Sequence, residues 1–262
     1  MKQIPVMSQW LDQLQTKGRY TFTVTQTESA TGRSPIAVQA ALRRLKKQKR
    51  IVSPRRGFFV LVPPEYRTVG SPPASWFIHD LMLFLEQPYY VSFLSAASIH
   101  GAAHQQPMVF QVVTNKPTRE MHLDKVTIHF SMNSRVKQFP VVLKQTETGT
   151  MRVATPETTA FDLVRNPSEA GHLSNVVTVL NELAELINKN ALAEIAPLVR
   201  IPDVQRLGYL LEVTGHAETA SSLLLCLPKK LRPVPLLPGK ATNALPDSRW
   251  RVVPNVKLEP DS

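Results

Sequence analysis

Residues 33–61, RSPIAVQAALRRLKKQKRIVSPRRGFFVL, contain the signals that decide the fold of the N-terminal quarter of the chain. Ser34 is a favoured helix N-cap, and Pro35 follows at the first helical position, where its missing N–H costs no hydrogen bond. Apolar residues then recur at helical spacing and form one face, comprising Val38, Ala41, Leu42 and Leu45. The segment therefore predicts an amphipathic helix that begins at residue 35.

The polar faces of this predicted helix are strongly basic. Residues 33–56 contain nine Lys or Arg and no Asp or Glu. Like charges one turn apart repel by about a few tenths of a kcal/mol per pair, so the absence of acids indicates that phosphate supplies the compensating charge. Four polar residues at spacing i, i+4, i+7 and i+11 are expected to line one stripe, namely Gln39, Arg43, Lys46 and Arg50.

The flanking sequence completes a recognisable order of elements. Residues 51–61 predict a β-hairpin whose tip is Pro54-Arg55-Arg56-Gly57. Upstream, the pattern predicts a helix over about residues 4–16, a short strand at 20–24 and a helix at 25–30, closed by a turn at Thr31-Gly32. Helix, strand, helix, turn, basic helix and arginine-tipped hairpin together predict a winged helix-turn-helix.

In a helix-turn-helix the second helix enters the major groove, and its N-terminal residues reach base edges. The base-reading candidates are Ser34, Ile36, Gln39 and Arg43, since Gln pairs with adenine and Arg with guanine. Lys46, Lys47, Lys49 and Arg50 are expected to hold phosphates, and Arg55 and Arg56 to enter the minor groove or clamp the backbone. The predicted DNA-binding residues are Arg33, Ser34, Gln39, Arg43, Arg44, Lys46, Lys47, Arg50, Arg55 and Arg56.

RNA is the competing ligand for such a basic surface. Sequence-selective RNA modules usually stack unpaired bases on aromatic side chains. Here the aromatic residues near the basic run are Phe58 and Phe59, in an alternating strand pattern, and one of them is expected to pack under the helix. The pattern therefore favours double-stranded DNA.

Composition supports a dedicated polyanion-binding module. The 262 residues have a net charge of +11, of which residues 1–66 contribute +9 and the remaining 196 only +2. Neither a signal peptide nor a membrane-spanning run is recognisable. The single cysteine, Cys226, excludes an intrachain disulfide and a multi-cysteine zinc site, and is expected to be a small buried apolar residue. These features predict a cytoplasmic protein without a membrane partner.

The sequence predicts a two-domain α+β protein, with the N-terminal winged helix-turn-helix followed by a larger mixed α/β domain that has a helical C-terminal part. The predicted boundaries are 1–66 for the winged helix, 67–75 for a proline-rich linker and 76–262 for the second domain. Strands are expected at 109–114, 126–130 and 141–143, a helix after Thr155-Pro156, several helices over 173–227 and a last strand at 250–253.

Signals for catalysis are weak. The chain has no nucleophile elbow, Walker loop or dinucleotide-binding motif. His100 and His104 have a metal-binding spacing, but Gly101 lies between them and no third ligand is near. Glu157 and Asp162 are expected to serve as helix N-terminal and surface charges. We therefore predict no catalytic residue, metal or cofactor, and no enzymatic activity.

Three stretches carry a resemblance to a known family. The first is Ser34-Pro35 through Arg56-Gly57-Phe58-Phe59-Val60, with Val62-Pro63-Pro64-Glu65-Tyr66 after it. The second is Tyr89-Tyr90-Val91-Ser92-Phe93-Leu94-Ser95-Ala96-Ala97, continuing to residues 100–107, and the third is Val153 through Leu163. In these blocks the chain resembles the AbiEi antitoxins of type IV toxin–antitoxin systems, which are associated with abortive infection and phage defence in bacteria.

The resemblance implies an autorepressor that binds inverted repeats in its own promoter as two or more copies, with a C-terminal antitoxin domain. The toxin would resemble a nucleotidyltransferase, and a direct complex with it is not required. Within the resembling blocks, Ser95, Ala96 and Gly101 are expected to serve packing. The polar residues His104, Gln105 and Gln106 are candidates for a functional surface.

Two alternatives stay open at this point. One is a DNA-targeted enzyme, such as a nuclease, that uses the winged helix for delivery. The other is a winged-helix regulator whose second domain senses an unrelated ligand or partner.

Overall fold

The structure is a computed structural model that describes residues 7–103, 107–240 and 243–258. It divides into two compact units. Unit 1 comprises Met1–Tyr90, Met108–Ser134 and Leu143–Arg152, and unit 2 comprises Val91–Pro107, Arg135–Val142 and Val153–Ser262. The boundaries that we predicted at residues 66 and 76 both fall inside unit 1, and they stay a prediction.

The N-terminal part of unit 1 has the predicted order of elements. They are α1 (Met7–Thr16), β1 (Thr21–Thr23), α2 (Val24–Thr31), α3 (Pro35–Lys47), β2 (Ile51–Arg55) and β3 (Phe58–Leu61). The three strands form an antiparallel sheet in the order β1-β3-β2, with Thr21 opposite Val60 and Ile51 opposite Leu61. This order and pairing are those expected of a winged helix-turn-helix, and the α+β fold class is confirmed.

Local signals set the ends of α2. The Thr23 side chain accepts a hydrogen bond from the backbone N–H of Gln26, and the Gln26 side chain accepts one from the backbone N–H of Thr23. This reciprocal capping box satisfies two backbone donors that would otherwise lack partners. Gly32 ends the helix in the left-handed region at φ 58°, a conformation that glycine adopts without steric cost. The turn that leads into α3 is thereby fixed.

One hydrophobic cluster joins α1 and α3 to the sheet, and the partly buried Val24 and Ala30 of α2 pack against it. Trp10 contacts Phe22 edge to face with ring centroids 5.3 Å apart, and Phe22 stacks on Phe59 at 5.5 Å. The cluster consists of Met7, Trp10, Leu11, Leu14, Phe22, Val38, Ala41, Leu42, Leu45, Ile51, Phe59 and Leu61. Burial of these side chains holds α3 in place, since each large apolar side chain contributes about 1.5–3 kcal/mol.

A second sheet follows a short helix, α4 (Ile78–Phe84). Its strands are β4 (Tyr89–Val91), β5 (Val109–Thr114), β6 (Met121–Leu123), β7 (Val126–Met132), β8 (Val141–Thr146) and β9 (Gly149–Ala154), in the order β6-β7-β5-β4-β9-β8. Strands β5 and β7 are parallel with Val109 opposite Thr127, whereas β6 and β7 form an antiparallel hairpin. The strands predicted at 109–114, 126–130 and 141–143 are confirmed.

Unit 2 is mainly helical, as predicted for the C-terminal part. Its helices are α5 (Phe93–His100), α6 (Pro156–Arg165), α7 (Leu173–Leu183), α8 (Lys189–Ile195), α9 (Ile201–Val213) and α10 (Ala217–Leu224). Thr155 caps α6 by accepting the backbone N–H of Thr158 at 3.3 Å, and Pro156 occupies its first turn. Two short parallel strands, β10 (Val234–Pro235) and β11 (Val252–Val253), complete the unit. In the described ranges no helix is long and apolar enough to cross a membrane.

The C-terminal segment of unit 2 is bound to α9 through Trp250. The Trp250 carbonyl accepts a hydrogen bond from the Gln205 side chain at 2.8 Å, and its indole N–H donates to Glu212. The buried indole ring covers Gly208, where a Cβ atom would lie 2.0 Å from the ring. Glycine at this position therefore serves the close approach of a ring to a helix.

We expect Gly208→Ala to destabilise the protein, although alanine in a helix interior normally stabilises by about 1 kcal/mol relative to glycine. Overpacking against Trp250 should lower the free energy of unfolding by about 1–3 kcal/mol. Urea unfolding measures the change. Val213→Ala, an exposed position on the same helix, should stay within about 0.5 kcal/mol of the parent protein. A Gly208→Ala variant as stable as the parent would contradict this account.

Candidate nucleic-acid interface

Helix α3 presents its polar faces to solvent because its apolar face is fixed in the core. Ser34 caps the helix by accepting the backbone N–H of Ala37 at 3.4 Å, and Pro35 occupies the first turn. The buried side chains are Val38, Ala41, Leu42 and Leu45, as the periodicity predicts. The exposed predicted site residues are Arg33, Ser34, Gln39, Arg43, Arg44, Lys46 and Lys47. The structure therefore brings six of the ten predicted residues onto α3 and its N-cap, and the seventh exposed one, Arg33, directly precedes the N-cap.

An apolar side chain also lies on this surface. Ile36, in the first turn of α3, is 84% exposed, and no other residue of the helix is both large and apolar on that side. The thymine methyl group is the apolar feature of the major groove that an exposed isoleucine at this position would contact. Ile36 thus fits the base-reading position that the sequence assigns to it.

The predicted four-residue stripe is wrong at its last member. Helix α3 ends at Lys47, and Lys49 adopts a left-handed conformation at φ 52°, so Arg50 leaves the helical spacing. The backbone N–H of Arg50 donates to the Leu45 carbonyl at 3.0 Å. The Arg50 guanidinium lies 3.5 Å from the carboxylate of Asp12 on α1. The periodicity could not foresee this acidic partner, since α1 is distant in sequence.

The hairpin after α3 forms as predicted, with a narrower tip. Pro54 and Arg55 belong to β2, and only Arg56 and Gly57 form the turn, with Gly57 at φ 88°. The strand register shifts between Val52 and Arg55. Arg56 is exposed, whereas Arg55 is partly buried and its Nη2 donates to the carbonyl of Arg119 at 3.2 Å. A single arginine therefore stands at the turn itself.

Both wing phenylalanines are packed inside the protein. Phe59 belongs to the core under α3, and Phe58 packs on Phe84 of α4 with ring centroids 5.3 Å apart. They are 9% and 2% exposed, respectively. Stacking of unpaired bases needs accessible aromatic faces, which these two rings do not provide. The expectation that one of them packs under the helix is confirmed for Phe59.

The residues considered for catalysis have internal hydrogen-bonding roles. Asp162 accepts the Ser92 hydroxyl at 2.7 Å, and Glu157 accepts the backbone N–H of Asn188 at 2.8 Å. Both carboxylates are buried, so the expectation that they are surface charges is wrong. Over the described ranges, no three His, Cys, Asp or Glu side chains are grouped as a metal site requires.

His100 and Cys226 also contact backbone carbonyls. His100 Nε2 lies 2.7 Å from the Ala154 carbonyl, and the predicted partner His104 lies outside the described residues, as do Gln105 and Gln106. Cys226 is half-buried rather than buried, and its thiol contacts the Ala193 carbonyl at 3.6 Å. Burial raises the pKa of this thiol, which keeps it protonated and unreactive at neutral pH.

Comparison with known proteins gives a family match in the middle of the chain. Residues 90–213 match the family model described as the AbiEi antitoxin C-terminal domain. Residues 90–213 are called the AbiEi domain below because of this match. This domain contains α5 through α9, and the resemblance seen in the sequence is confirmed. The match supports an antitoxin role in a toxin–antitoxin system of the abortive-infection type.

A solved structure shows the same fold over nearly the whole chain. The crystal structure of the RV2827C protein from Mycobacterium tuberculosis superposes with a TM-score of 0.65 at 17% sequence identity, covering 97% of this chain and 92% of that one. At this identity the likeness concerns the fold alone. No curated protein matches the chain.

Within the AbiEi domain, small residues have the packing roles that we expected. Ser95 and Ala96 are buried in α5, and Gly101 ends this helix in the left-handed region at φ 82°. The sequence reasoning missed Asp12, which contacts Arg50 just after the basic helix, and Phe84 and Arg119, which contact the wing. No local pattern marks them, because each contact joins segments far apart in the chain.

We expect Phe84→Ala to loosen the wing, because it removes the ring that covers Phe58. The free energy of unfolding should fall by about 1 kcal/mol, the usual contribution of an aromatic pair. Amide hydrogen exchange of residues 55–58 should accelerate. Leu83→Ala, at an exposed neighbour on the same helix, is the matched control and should leave wing exchange unchanged. Equal exchange rates in the two variants would show that Phe84 does not hold the wing.

Proposed function

We propose that the protein is a DNA-binding transcriptional autorepressor and the antitoxin of a type IV toxin–antitoxin system, opposing a nucleotidyltransferase-like toxin in the cytoplasm. The observation that carries the DNA-binding part is the acid-free basic surface of α3, whose cations point outward because the apolar face is locked into the core. The antitoxin part rests on the AbiEi domain at residues 90–213.

The chemistry of this surface suits duplex DNA better than a small ligand. Gln39 and Arg43 lie one turn apart on an exposed face of α3, and Gln39 belongs to the N-terminal half, where a groove-bound helix reaches base edges. Lys46 and Lys47 lie farther along and supply point charges for phosphates. Arg56 at the hairpin turn provides a further cation. Two or more copies on inverted repeats would place two such helices on one face of the duplex.

The buried carboxylates favour a regulatory role over a nuclease. Asp162 and Glu157 are the acids that a nuclease in this region would use, and each accepts a hydrogen bond inside unit 2. A carboxylate held in this way stabilises the fold. The match to an antitoxin domain supports the same regulatory role.

Footprinting on the DNA upstream of the protein's own gene tests the autorepressor proposal. We expect protection of inverted repeats at moderate salt. Absence of protection there would overturn the proposal.

Substitutions on α3 should separate base reading from phosphate binding. Arg43→Ala should cost about 1–3 kcal/mol on the preferred operator and relax sequence preference at one position. Lys47→Ala should weaken binding to all sequences and reduce the salt slope of log K by about one. Fluorescence anisotropy against operator and scrambled duplexes measures both effects. Lys229→Ala, an exposed lysine in unit 2, is the charge-matched control. Identical behaviour of Arg43→Ala and Lys47→Ala would contradict the division of roles.

Repression and neutralisation should be separable by substitution. The combined Arg43→Ala and Lys47→Ala variant changes only α3, which lies outside residues 90–213. We expect it to lose repression of a promoter reporter while still rescuing growth of cells that express the toxin. Point substitution is sharper than truncation at residue 66, because truncation would divide compact unit 1. Loss of rescue in a variant that folds and accumulates normally would show that antitoxin activity depends on α3, and it would contradict the separation of the two functions.

A further inference from the structure

The wing is tied to a loop of the second sheet within unit 1. The Arg55 guanidinium donates to the backbone carbonyl of Arg119 at 3.2 Å, and strand β2 of the wing lies beside β6. The loop, residues 115–120, connects β5 to β6 and is far from the wing in sequence. The backbone of this loop therefore lies next to the wing, although it is more than 50 residues away in sequence.

Side-chain hydrogen bonds hold this loop in one conformation. The carboxamide oxygen of Gln87 accepts the hydroxyl of Thr114 at 3.1 Å and the hydroxyl of Thr118 at 3.0 Å. These two threonines flank Lys116, and Arg119 directly follows Thr118. Each hydroxyl has a single proton, which Thr114 shares between Gln87 and the Pro88 carbonyl at 2.9 Å, and Thr118 between Gln87 and the Lys116 carbonyl at 3.1 Å. A loop that is fixed at two points binds a ligand at a lower cost in conformational entropy.

The loop presents cations. Lys116 and Arg119 are exposed, and in the described part of the chain no acidic side chain pairs with either of them. The loop's own acid, Glu120, contacts two histidines instead, with its oxygens 3.0 Å from His122 Nε2 and 2.9 Å from His129 Nδ1. Glu120 thus pairs with the two histidines, and the two cations belong to the loop whose Arg119 carbonyl contacts Arg55 of the wing.

We propose that Lys116 and Arg119 form a second phosphate-binding element that grips the backbone of the same DNA duplex beside the wing. This inference rests on the proposed DNA-binding function and extends its surface from α3 and Arg56 to the β5–β6 loop. Arginine offers paired donors to phosphate and lysine a point charge. Contacts of this kind strengthen binding to every sequence and fix the position of the protein on the duplex.

The test compares the double variant Lys116→Ala/Arg119→Ala with the control Lys229→Ala/Lys230→Ala, which removes the same charge from an exposed segment of unit 2. Binding to a duplex from the protein's own upstream region is measured by fluorescence anisotropy over a salt series. Each lost phosphate contact lowers the magnitude of the slope of log K against log salt by about 0.9. The double variant should therefore lose about 1.8 in slope and roughly 60-fold in affinity at about 0.1 M salt. The control should retain the parent slope.

A second double variant, which exchanges the two residues and conserves their charge, tests whether misfolding causes the loss of slope. Lys116→Arg/Arg119→Lys should keep the parent slope, and the alanine variant should lose the same factor on a scrambled duplex as on the operator. An alanine variant whose slope equals that of the control overturns the inference while the parent protein still binds DNA. Failure of the parent protein to bind at all overturns the proposed function itself, and this inference with it.

Discussion

Burial of one face of α3 is the interaction on which the basic surface depends. Val38, Leu42 and Leu45 pack into a core whose centre is the contact between Phe22 and Phe59. Each such side chain contributes about 1.5–3 kcal/mol, whereas repulsion between neighbouring cations costs about a few tenths of a kcal/mol per pair. The core therefore keeps the helix formed without any acid along it, and the cations stay available for phosphate.

The wing is part of a larger packed assembly within unit 1. One of its phenylalanines packs under α3 and the other on Phe84 of α4, so both faces of β3 are covered. The Arg55 guanidinium donates a hydrogen bond to the backbone carbonyl of Arg119, and Arg56 is the arginine at the turn. A wing held in this way presents its charges in a fixed geometry, which favours a defined register on DNA.

The AbiEi domain differs from the N-terminal part in that buried polar groups pair with one another in its core. Its polar groups, such as Asp162 with Ser92 and Glu157 with Asn188, satisfy one another inside a helical core. Buried polar groups that are fully paired specify one packing arrangement rather than a reaction.

The sequence by itself determined the elements with local signals: the capped start of α3, its apolar face, the hairpin and the concentration of charge in residues 1–66. Caps and periodicity act within one or two turns, so they are readable from the chain. The sequence also contained the blocks that resemble AbiEi antitoxins. Only the tertiary structure decided that Arg50 meets Asp12, that Arg55 meets the Arg119 carbonyl, and that Glu157 and Asp162 are buried. Those outcomes depend on segments far apart in sequence, and long-range packing leaves no local pattern to read.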